Sequence, residues 1–219
     1  MMRIISFQGA PGYSVAMRNL LVILLLLIPL GSSWADDRSQ IVQMLSGSGT
    51  INNLNIDGAW AMYCWSDRDA GGMGLLHKVD GRWVRAAGGG GVMGPDRLFV
   101  MGVPQRSLAK LLDRGPGGYR YPEVEIRQAA NQGPAWIDRV RQVDLETSDL
   151  SSRTDWELTL MRNEIFAVHG RSFQDAELRN YFQTRKWYRP NPAYREASLS
   201  QRERRNARFI AEYQASHRQ

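Results

Sequence analysis

The stretch TDWELTLMRNEIFAVHG, residues 154–170, specifies its own structure more clearly than any other part of the chain. Thr154 and Glu157 stand at capping-box spacing, at which the hydroxyl and the carboxylate satisfy each other's backbone N–H groups at a helix start. Gly170 is the residue type that commonly ends a helix. The apolar residues between them recur at intervals of three and four, which predicts a helix with one buried side: Leu158, Met161, Ile165 and Val168.

Two further helices are predicted after Gly170. One begins near Asp175 and presents an apolar and aromatic side: Leu178, Tyr181 and Phe182. Prolines at 190 and 192 then break the chain, and Ser200 and Glu203 form a second capping box. The helix that this box opens has an inward stripe of Ala207, Ile210 and Tyr213. We therefore expect a small three-helix domain over 145–219.

The preceding half of the chain favours strands. Apolar, β-prone runs predict strands near 58–65, 74–79 and 82–87, and Asp80-Gly81 predicts a two-residue type I′ turn. After four glycines, Pro104 and Gly115 bracket a short helix with a buried side of Leu108, Leu111 and Leu112. Residues 115–144 are interrupted by Gly-Pro and Pro, which indicates a connecting region. The predicted fold is α+β, with an N-terminal β-meander and short helices over 36–114.

The N-terminus has the pattern of a secretory signal over 1–35. Arg18 precedes the apolar run LLVILLLLIPL at 20–30, and small residues stand at Ser33 and Ala35, where a signal peptidase cleaves. The run is shorter than the roughly 20 residues that a membrane-spanning helix needs. Met17 is a second candidate translation start. We expect a periplasmic or secreted protein that is not integral to the membrane once processed; an uncleaved anchor and a buried core helix are the alternatives.

Composition and charge exclude several classes. The chain has 219 residues, 28 Lys plus Arg, 22 Asp plus Glu and a single cysteine, Cys64. An intramolecular disulfide and a thiolate zinc cage are therefore excluded, and the hydrophobic content of 43% argues against disorder. Residues 36–149 carry a net charge of −1, whereas 150–219 carry +5. Outside the cytoplasm this excess favours anionic envelope polymers or head groups over nucleic acid, with a solvated basic face as the alternative.

The C-terminal residues resemble a known bacterial family. MRNEIFAVHG at 161–170 and the aromatic and polar positions after it are similar to the YARHG domain, named for a Tyr-Ala-Arg-His-Gly motif: Phe173, Leu178, Tyr181, Phe182, Trp187, Tyr188, Pro190 and Asn206. The resemblance covers about 145–213, with Phe166 at the motif's Tyr and Val168 at its Arg. It implies an exported module with a binding or structural role and no established activity. The N-terminal half also resembles an uncharacterised secreted bacterial domain, which implies no function.

Six residues are candidate recognition or network residues. His169 stands at a predicted helix end, where it can stabilise free carbonyls or instead act in proton transfer or metal binding. Arg162, Asn163 and Glu164 are consecutive, so they form either a buried hydrogen-bonded network or part of a recognition patch. Trp187 and Tyr188 belong with Trp60, Trp65 and Trp83 either to the core or to a sugar-stacking surface. Cys64 is expected to be a buried, inert thiol.

No catalytic motif is present in the sequence. It lacks G-x-S-x-G, H-E-x-x-H and a P-loop, and His77 and His217 have no partners at metal-ligand spacing. We expect no catalytic residue, cofactor or metal ligand. The expected function is a non-enzymatic envelope module that binds peptidoglycan, another envelope polymer or an envelope protein. A cell-wall hydrolase or its accessory subunit and a periplasmic protein-interaction module are the alternatives, and the oligomeric state does not follow from the sequence.

Overall fold

The computed structural model describes residues 33–114 and 120–217. The apolar core of the predicted signal, at 20–30, and the predicted helix stop at Gly115 lie outside these residues. The first helix, α1, spans Ser33–Met44 and so begins two residues before the predicted cleavage point. Within the described ranges, no helix is long and apolar enough to cross a membrane.

Four antiparallel strands form one sheet in the order β1-β2-β3-β4. They span Thr50–Asp57, Trp60–Asp67, Ala70–Val79 and Arg82–Gly90. The three predicted strands are confirmed as β2, β3 and β4: β2 has the predicted length but begins two residues later, and β3 and β4 are longer than expected. The Asp80-Gly81 hairpin is also confirmed, because both residues have positive φ, 49° and 78°, and Val79 pairs with Arg82.

Strand β1 was not predicted, because asparagine is depleted in strands. Its asparagine side chains donate hydrogen bonds to backbone carbonyls at the end of a short helix, α3, which spans Gln105–Leu111, and to carbonyls just after it. Asn55 Nδ2 donates to Leu111 O at 3.0 Å, and Asn53 Nδ2 donates to Arg114 O at 2.8 Å. The side chains thus satisfy carbonyls at a helix end, which a strand propensity cannot indicate.

The two faces of the sheet pack against different partners, because successive side chains of a strand point to opposite faces. Ile41 of α1 and Leu45, the residue after this helix, cover one face. Asp37 of α1 accepts hydrogen bonds from Lys78 Nζ at 2.5 Å and Trp83 Nε1 at 3.1 Å. The other face contributes to a larger core with the remaining helices: Trp60, Met62, Cys64, Met73, Leu75, Ala86 and Ala87. The expected burial of Cys64 is confirmed, and burial raises the pKa of its thiol.

Short helices follow the sheet. Helix α2 spans Pro95–Val100, and α3 begins after Pro104 with its predicted buried leucines at 108, 111 and 112 in the core. The predicted connecting region contains α4, Glu123–Gln128, a 3₁₀ turn at Ala129–Asn131 and α5, Ile137–Gln142. Helix α6, Thr147–Leu150, comes next. Residues 120–144 therefore contain more regular structure than their glycines and prolines predicted.

The three predicted C-terminal helices are confirmed as α7, α8 and α9. They span Asp155–Ala167, Ala176–Gln183 and Gln201–His217. Both capping boxes form: Thr154 and Glu157 satisfy each other at the start of α7, and Ser200 and Glu203 do so at the start of α9. Asp175 caps α8 by accepting the Leu178 N–H at 2.8 Å. The predicted α+β class is confirmed, and α5 and α6 join the three helices expected in the C-terminal region.

The sheet and the C-terminal helices share one hydrophobic core that also includes the connecting region. Three hydrogen bonds cross from the C-terminal side to backbone carbonyls of the N-terminal side. Thr154 Oγ1 donates to Ala86 O at 2.6 Å, Trp156 Nε1 to Met101 O at 2.7 Å, and Tyr181 O–H to Val100 O at 2.8 Å. The division of the chain at 114 and 144 into separately folding units stays a prediction.

Gly170 links the end of α7 to the proline-containing loop. Its φ is +87°, and its carbonyl accepts the Asn191 N–H at 2.8 Å. A Cβ atom at this position would lie 2.6 Å from Asn191 Cβ and 2.9 Å from Arg189 O. Only glycine fits both the backbone conformation and the space.

We expect Gly170→Ala to destabilise the protein by roughly 2–4 kcal/mol, because strain from positive φ adds to a clash with backbone atoms. The matched control is Gly58→Ala, since Gly58 has φ +59° and nothing within 4 Å of the added Cβ. That change should cost about 1 kcal/mol. Urea unfolding followed by circular dichroism measures both, and equal losses would contradict the packing role of Gly170.

Candidate functional site

Glu164 lies at the centre of the predicted network and is almost completely buried, at 1% exposure. Its Oε1 accepts the N–H groups of Trp136 at 2.6 Å and Ile137 at 2.9 Å, and its Oε2 accepts the Ala135 N–H at 2.8 Å. These are the free N–H groups at the start of α5, so a carboxylate from α7 caps another helix. Burial raises the pKa of Glu164, and the three hydrogen bonds oppose that rise.

Arg185 supplies positive charge near this carboxylate. Its guanidinium carbon lies 4.0 Å from the ring centroids of both Phe99 and Tyr181. Burial lowers the pKa of Arg185, and the charge of Glu164 opposes that shift. The Nε atom of Arg185 has no hydrogen-bond partner among the described residues. The cation is thus held between aromatic rings instead of in a direct ion pair.

His169 has a carboxylate partner. Its Nε2 lies 3.0 Å from Glu203 Oε1, whereas the sequence predicted a contact with free carbonyls at the end of α7. Arg141 Nε of α5 donates to the same Glu203 oxygen at 2.9 Å. Burial alone would raise the pKa of Glu203, but hydrogen bonds from His169, Ser200 and Arg141 lower it to about 2. Glu203 therefore ties α5 and the end of α7 to the start of α9, which makes His169 a network residue.

Asn206 completes this network with a buried amide. Its Oδ1 accepts the Leu145 N–H at 2.9 Å, and its Nδ2 donates to Val140 O at 2.9 Å and Val143 O at 2.8 Å. Sequence reasoning assigned Asn206 no role beyond the family resemblance and Glu203 none beyond its capping box. A buried polar residue on the apolar side of a predicted helix was the available signal for both.

The other predicted residues separate into two environments. Asn163 is buried and donates to Thr159 O of its own helix at 2.8 Å. Trp187 and Tyr188 pack with Phe182, and the Tyr188 hydroxyl donates to Arg171 O at 2.7 Å. Trp60 and Trp83 are buried, and Trp65 is half-buried. These rings belong mainly to the core.

Arg162 is half-buried beside a second cation. Its guanidinium carbon lies 5.8 Å from the Phe166 ring centroid, and that of Arg171 lies 4.8 Å from the same centroid. Burial lowers the pKa of Arg162, the charge of Arg171 lowers it further, and Glu196 opposes both. The Arg162 Nε and the Tyr194 hydroxyl have no hydrogen-bond partner within the described part of the chain. Both donor atoms are buried, so what this pair of cations can offer an anion is its charge.

A concave surface lies where the sheet meets α7 and α8; we call it the seam cleft. It consists of two hollows of about 570 and 510 Å³ that share Trp156 and Glu177 in their lining. The larger hollow lies between β2, β3 and α8, and the smaller between the β3-β4 hairpin, α7 and α8. The aromatic, amide and charged residues that line one or both are Trp60, His77, Lys78, Arg85, Arg106, Asp155, Trp156, Arg162, Asn163, Asp175, Glu177, Asn180, Tyr181, Gln183 and Gln214.

His77 lies between two tryptophans in this cleft. Its ring is stacked on Trp60, with centroids 4.1 Å apart and planes 8° apart, and is tilted against Trp156 at 5.1 Å. Burial lowers the pKa of His77 to about 4, so the ring is neutral at pH 7. Within the ranges 33–114 and 120–217, no group of three or more His, Cys, Asp or Glu side chains is arranged to hold a metal ion.

The fold and the site define an α+β protein in which a helical module packs against a small antiparallel sheet. Buried carboxylates join the helices of this module by accepting hydrogen bonds from neighbouring elements. Residues 135–215 match the YARHG domain family. The match begins ten residues before the predicted start at 145, at Ala135, whose N–H binds Glu164. This domain is a family of extracellular and periplasmic modules, in agreement with a general role in the cell envelope. Searches of curated proteins and of solved structures find no match to the chain.

We expect Glu164→Gln to destabilise the protein by about 3 kcal/mol, because an amide replaces one acceptor oxygen with a donor that faces backbone N–H groups. The control is Glu212→Gln on the exposed side of α9, which should change stability by less than about 0.5 kcal/mol. Chemical unfolding measures both free energies. A cost for Glu164→Gln as small as that of the control would contradict its capping role.

The charge of Glu203 predicts a defined pH dependence. Because its pKa falls from 4.5 to about 2 on folding, the ionised carboxylate stabilises the folded state above pH 4.5, and this contribution is lost as the pH falls towards 2. We expect Glu203→Gln to cost about 2 kcal/mol at pH 7, with the difference from wild type shrinking between pH 4.5 and pH 2. Urea unfolding at a series of pH values measures this. A difference that stays constant down to pH 2.5 would contradict an ionic contribution.

Proposed function

We propose that this protein is an exported, non-enzymatic cell-envelope module that binds peptidoglycan or another anionic envelope polymer through the cationic surface of its C-terminal region. The secretory pattern at 1–35 and the match of 135–215 to a family of extracellular and periplasmic modules support the location. The excess of exposed bases over exposed acids in the C-terminal region supports the ligand.

The observation that carries this proposal is the excess of bases over acids among the exposed side chains of 150–217. Glu157, Glu164 and Glu203 are 1–3% exposed and serve as internal hydrogen-bond acceptors. The exposed acids of 150–217 are Asp155, Asp175, Glu196 and Glu212. The exposed bases are twice as many: Arg179, Lys186, Arg189, Arg195, Arg202, Arg204, Arg205 and Arg208. The exposed groups therefore carry the whole net charge of +4 of residues 150–217, because the less exposed bases and acids of this region balance one another. An exposed positive excess favours association with polyanions.

Arg162 and Arg171 offer a localised contact on this surface. The two cations repel each other, and the Arg162 Nε and the nearby Tyr194 hydroxyl lack hydrogen-bond partners within the described residues. Because these two donor atoms are buried, a carboxylate or phosphate of the polymer would act on the pair through charge, by offsetting the repulsion between the two cations. By contrast, Arg202 and Arg205 both contact Asp144, so part of the surface charge is already neutralised.

A cell-wall hydrolase is the second candidate, because the seam cleft contains carboxylates. Burial raises the pKa of Glu177, and the charges of Asp175 and Asp80 raise it further. A carboxylic acid with a raised pKa is the group that a glycosidase uses as its general acid. The protein-interaction alternative has less support, because the exposed large apolar residues lie on several elements: Val42, Met44, Val84, Val92 and Val124.

Co-sedimentation with purified cell-wall sacculi tests the proposal. We expect binding at low salt that weakens strongly at about 0.5 M NaCl, where screening shortens the range of electrostatic attraction to a few Å. The double variant Arg195→Gln/Arg208→Gln should bind on the order of tenfold more weakly. Its control, Arg68→Gln/Arg82→Gln, removes the same charge from the exposed β2-β3 turn and the exposed start of β4, and should bind like wild type.

The same samples separate the competing functions. Binding that is absent, or that falls equally in both double variants, would contradict a polymer contact through the C-terminal surface. Soluble glycan fragments in the supernatant, released by wild type and lost in Glu177→Gln, would favour the hydrolase instead. We expect no fragments above the level of sacculi incubated without protein.

A further inference from the structure

We infer that the seam cleft is a binding site for an uncharged stretch of a glycan chain. The inference rests on the proposed function and deepens it, because it names the part of an envelope polymer that the cleft would take. The cationic surface and the cleft are then two sites for one ligand: charge attracts the polymer, and the cleft selects sugar rings.

The walls of the cleft are aromatic and closely supported. Trp156 is tilted against His77 and stands perpendicular to Tyr181 at 6.5 Å between centroids. Gly102 makes room for this arrangement, since a Cβ there would lie 3.2 Å from Tyr181 Cδ2 and 3.3 Å from Trp60 Cζ2. Trp156 is the most exposed of these rings, so it presents apolar ring surface to a ligand. Such surface suits the C–H face of a pyranose ring.

The rim of the cleft supplies polar groups of the kind that bind hydroxyl and acetamido groups. Asn180, Gln183 and Thr184 line the larger hollow from α8 and the residue after it, and Glu177 lines both hollows. Amide and hydroxyl side chains both donate and accept hydrogen bonds, and a carboxylate accepts them. A sugar presents apolar and hydrogen-bonding surfaces on one ring, and this lining offers both.

The floor of the cleft is neutral. His77 is nine-tenths buried between the tryptophans and uncharged at pH 7, and its Nδ1 has no hydrogen-bond partner within the described part of the chain. Unsatisfied buried polar atoms are uncommon in folded proteins and require an explanation. Lys78 of the rim is held by Asp37 on the other side of the sheet. The other cations of the lining, Arg85, Arg106 and Arg162, are accompanied by three carboxylates, those of Asp155, Asp175 and Glu177. The lining thus mixes both signs of charge in nearly equal number, which favours an uncharged ligand over a polyanion.

The size of the cleft fits more than one ring. Each hollow alone lies within the range of about 300–1,000 Å³ typical of small-molecule sites. The two hollows meet at Trp156 and Glu177, so an extended ligand can occupy both. An oligosaccharide of several residues would place successive rings along the line from Tyr181 to the β3-β4 hairpin.

Titration with a tetramer of N-acetylglucosamine tests the inference. The purified full chain is titrated at 0.5 M NaCl, where electrostatic binding to the cationic surface is screened. Tryptophan fluorescence and calorimetry should both show saturable binding. We expect Asn180→Ala to weaken binding about fivefold and Asn180→Trp, which fills the larger hollow, to abolish it. Gln43→Ala on the exposed side of α1 is the control and should bind like wild type.

The outcomes separate this inference from the proposed function. No saturable binding of the tetramer, or equal binding by Asn180→Trp and wild type with unchanged thermal unfolding, would overturn the glycan site. If sacculi still sediment the protein in a salt-dependent manner, the proposed function stands without it. Conversely, tetramer binding that responds to Asn180, without salt-dependent sedimentation, would support the cleft and contradict the cationic contact.

Discussion

The C-terminal module depends on one buried carboxylate. Glu164 comes from the middle of α7, yet its three hydrogen bonds are made with the backbone N–H groups of 135–137, which begin α5. Without Glu164 these donors would be buried and unpaired, and without the donors the charge would be buried and uncompensated. The position of α5 against α7 follows from this constraint. The family match begins at the same place, at 135, so the capped segment belongs to the module.

Two other buried acids join elements of the fold in the same way. Glu157 accepts from Arg97, and Glu203 accepts from His169 and Arg141, so each carboxylate joins elements that are distant in sequence. The less exposed acids and bases of 150–217 balance one another, so the net positive charge of this region lies on exposed side chains. The seam cleft arises from the same assembly, because α7 and α8 contact the sheet region through Trp156 and Tyr181 and leave a concave surface between them.

Local signals predicted local structure well. The capping boxes at Thr154 and Ser200, the hairpin at Asp80-Gly81 and the buried leucines of α3 all depend on residues within a few positions of one another, and all are confirmed. Strand β1 and helix α5 were missed, since each is stabilised by side chains or backbone groups more than 20 residues away. His169 was predicted to contact free carbonyls at its own helix end, but its partner is Glu203. The reason is the same, because a partner 34 residues away cannot be recognised from local spacing.

The sequence by itself determined the α+β class, the helical C-terminal region and the resemblance to the YARHG family, because periodicity, capping and motif residues are local properties. It also determined the excess of positive charge after residue 150. Only the tertiary structure decided which acids are buried, which of the consecutive residues Arg162, Asn163 and Glu164 points inward, and where a cleft forms. The burial of each side chain and the position of the cleft depend on which helices pack together. The sheet and the helices share one hydrophobic core, and the packing of that core decides which helices are in contact.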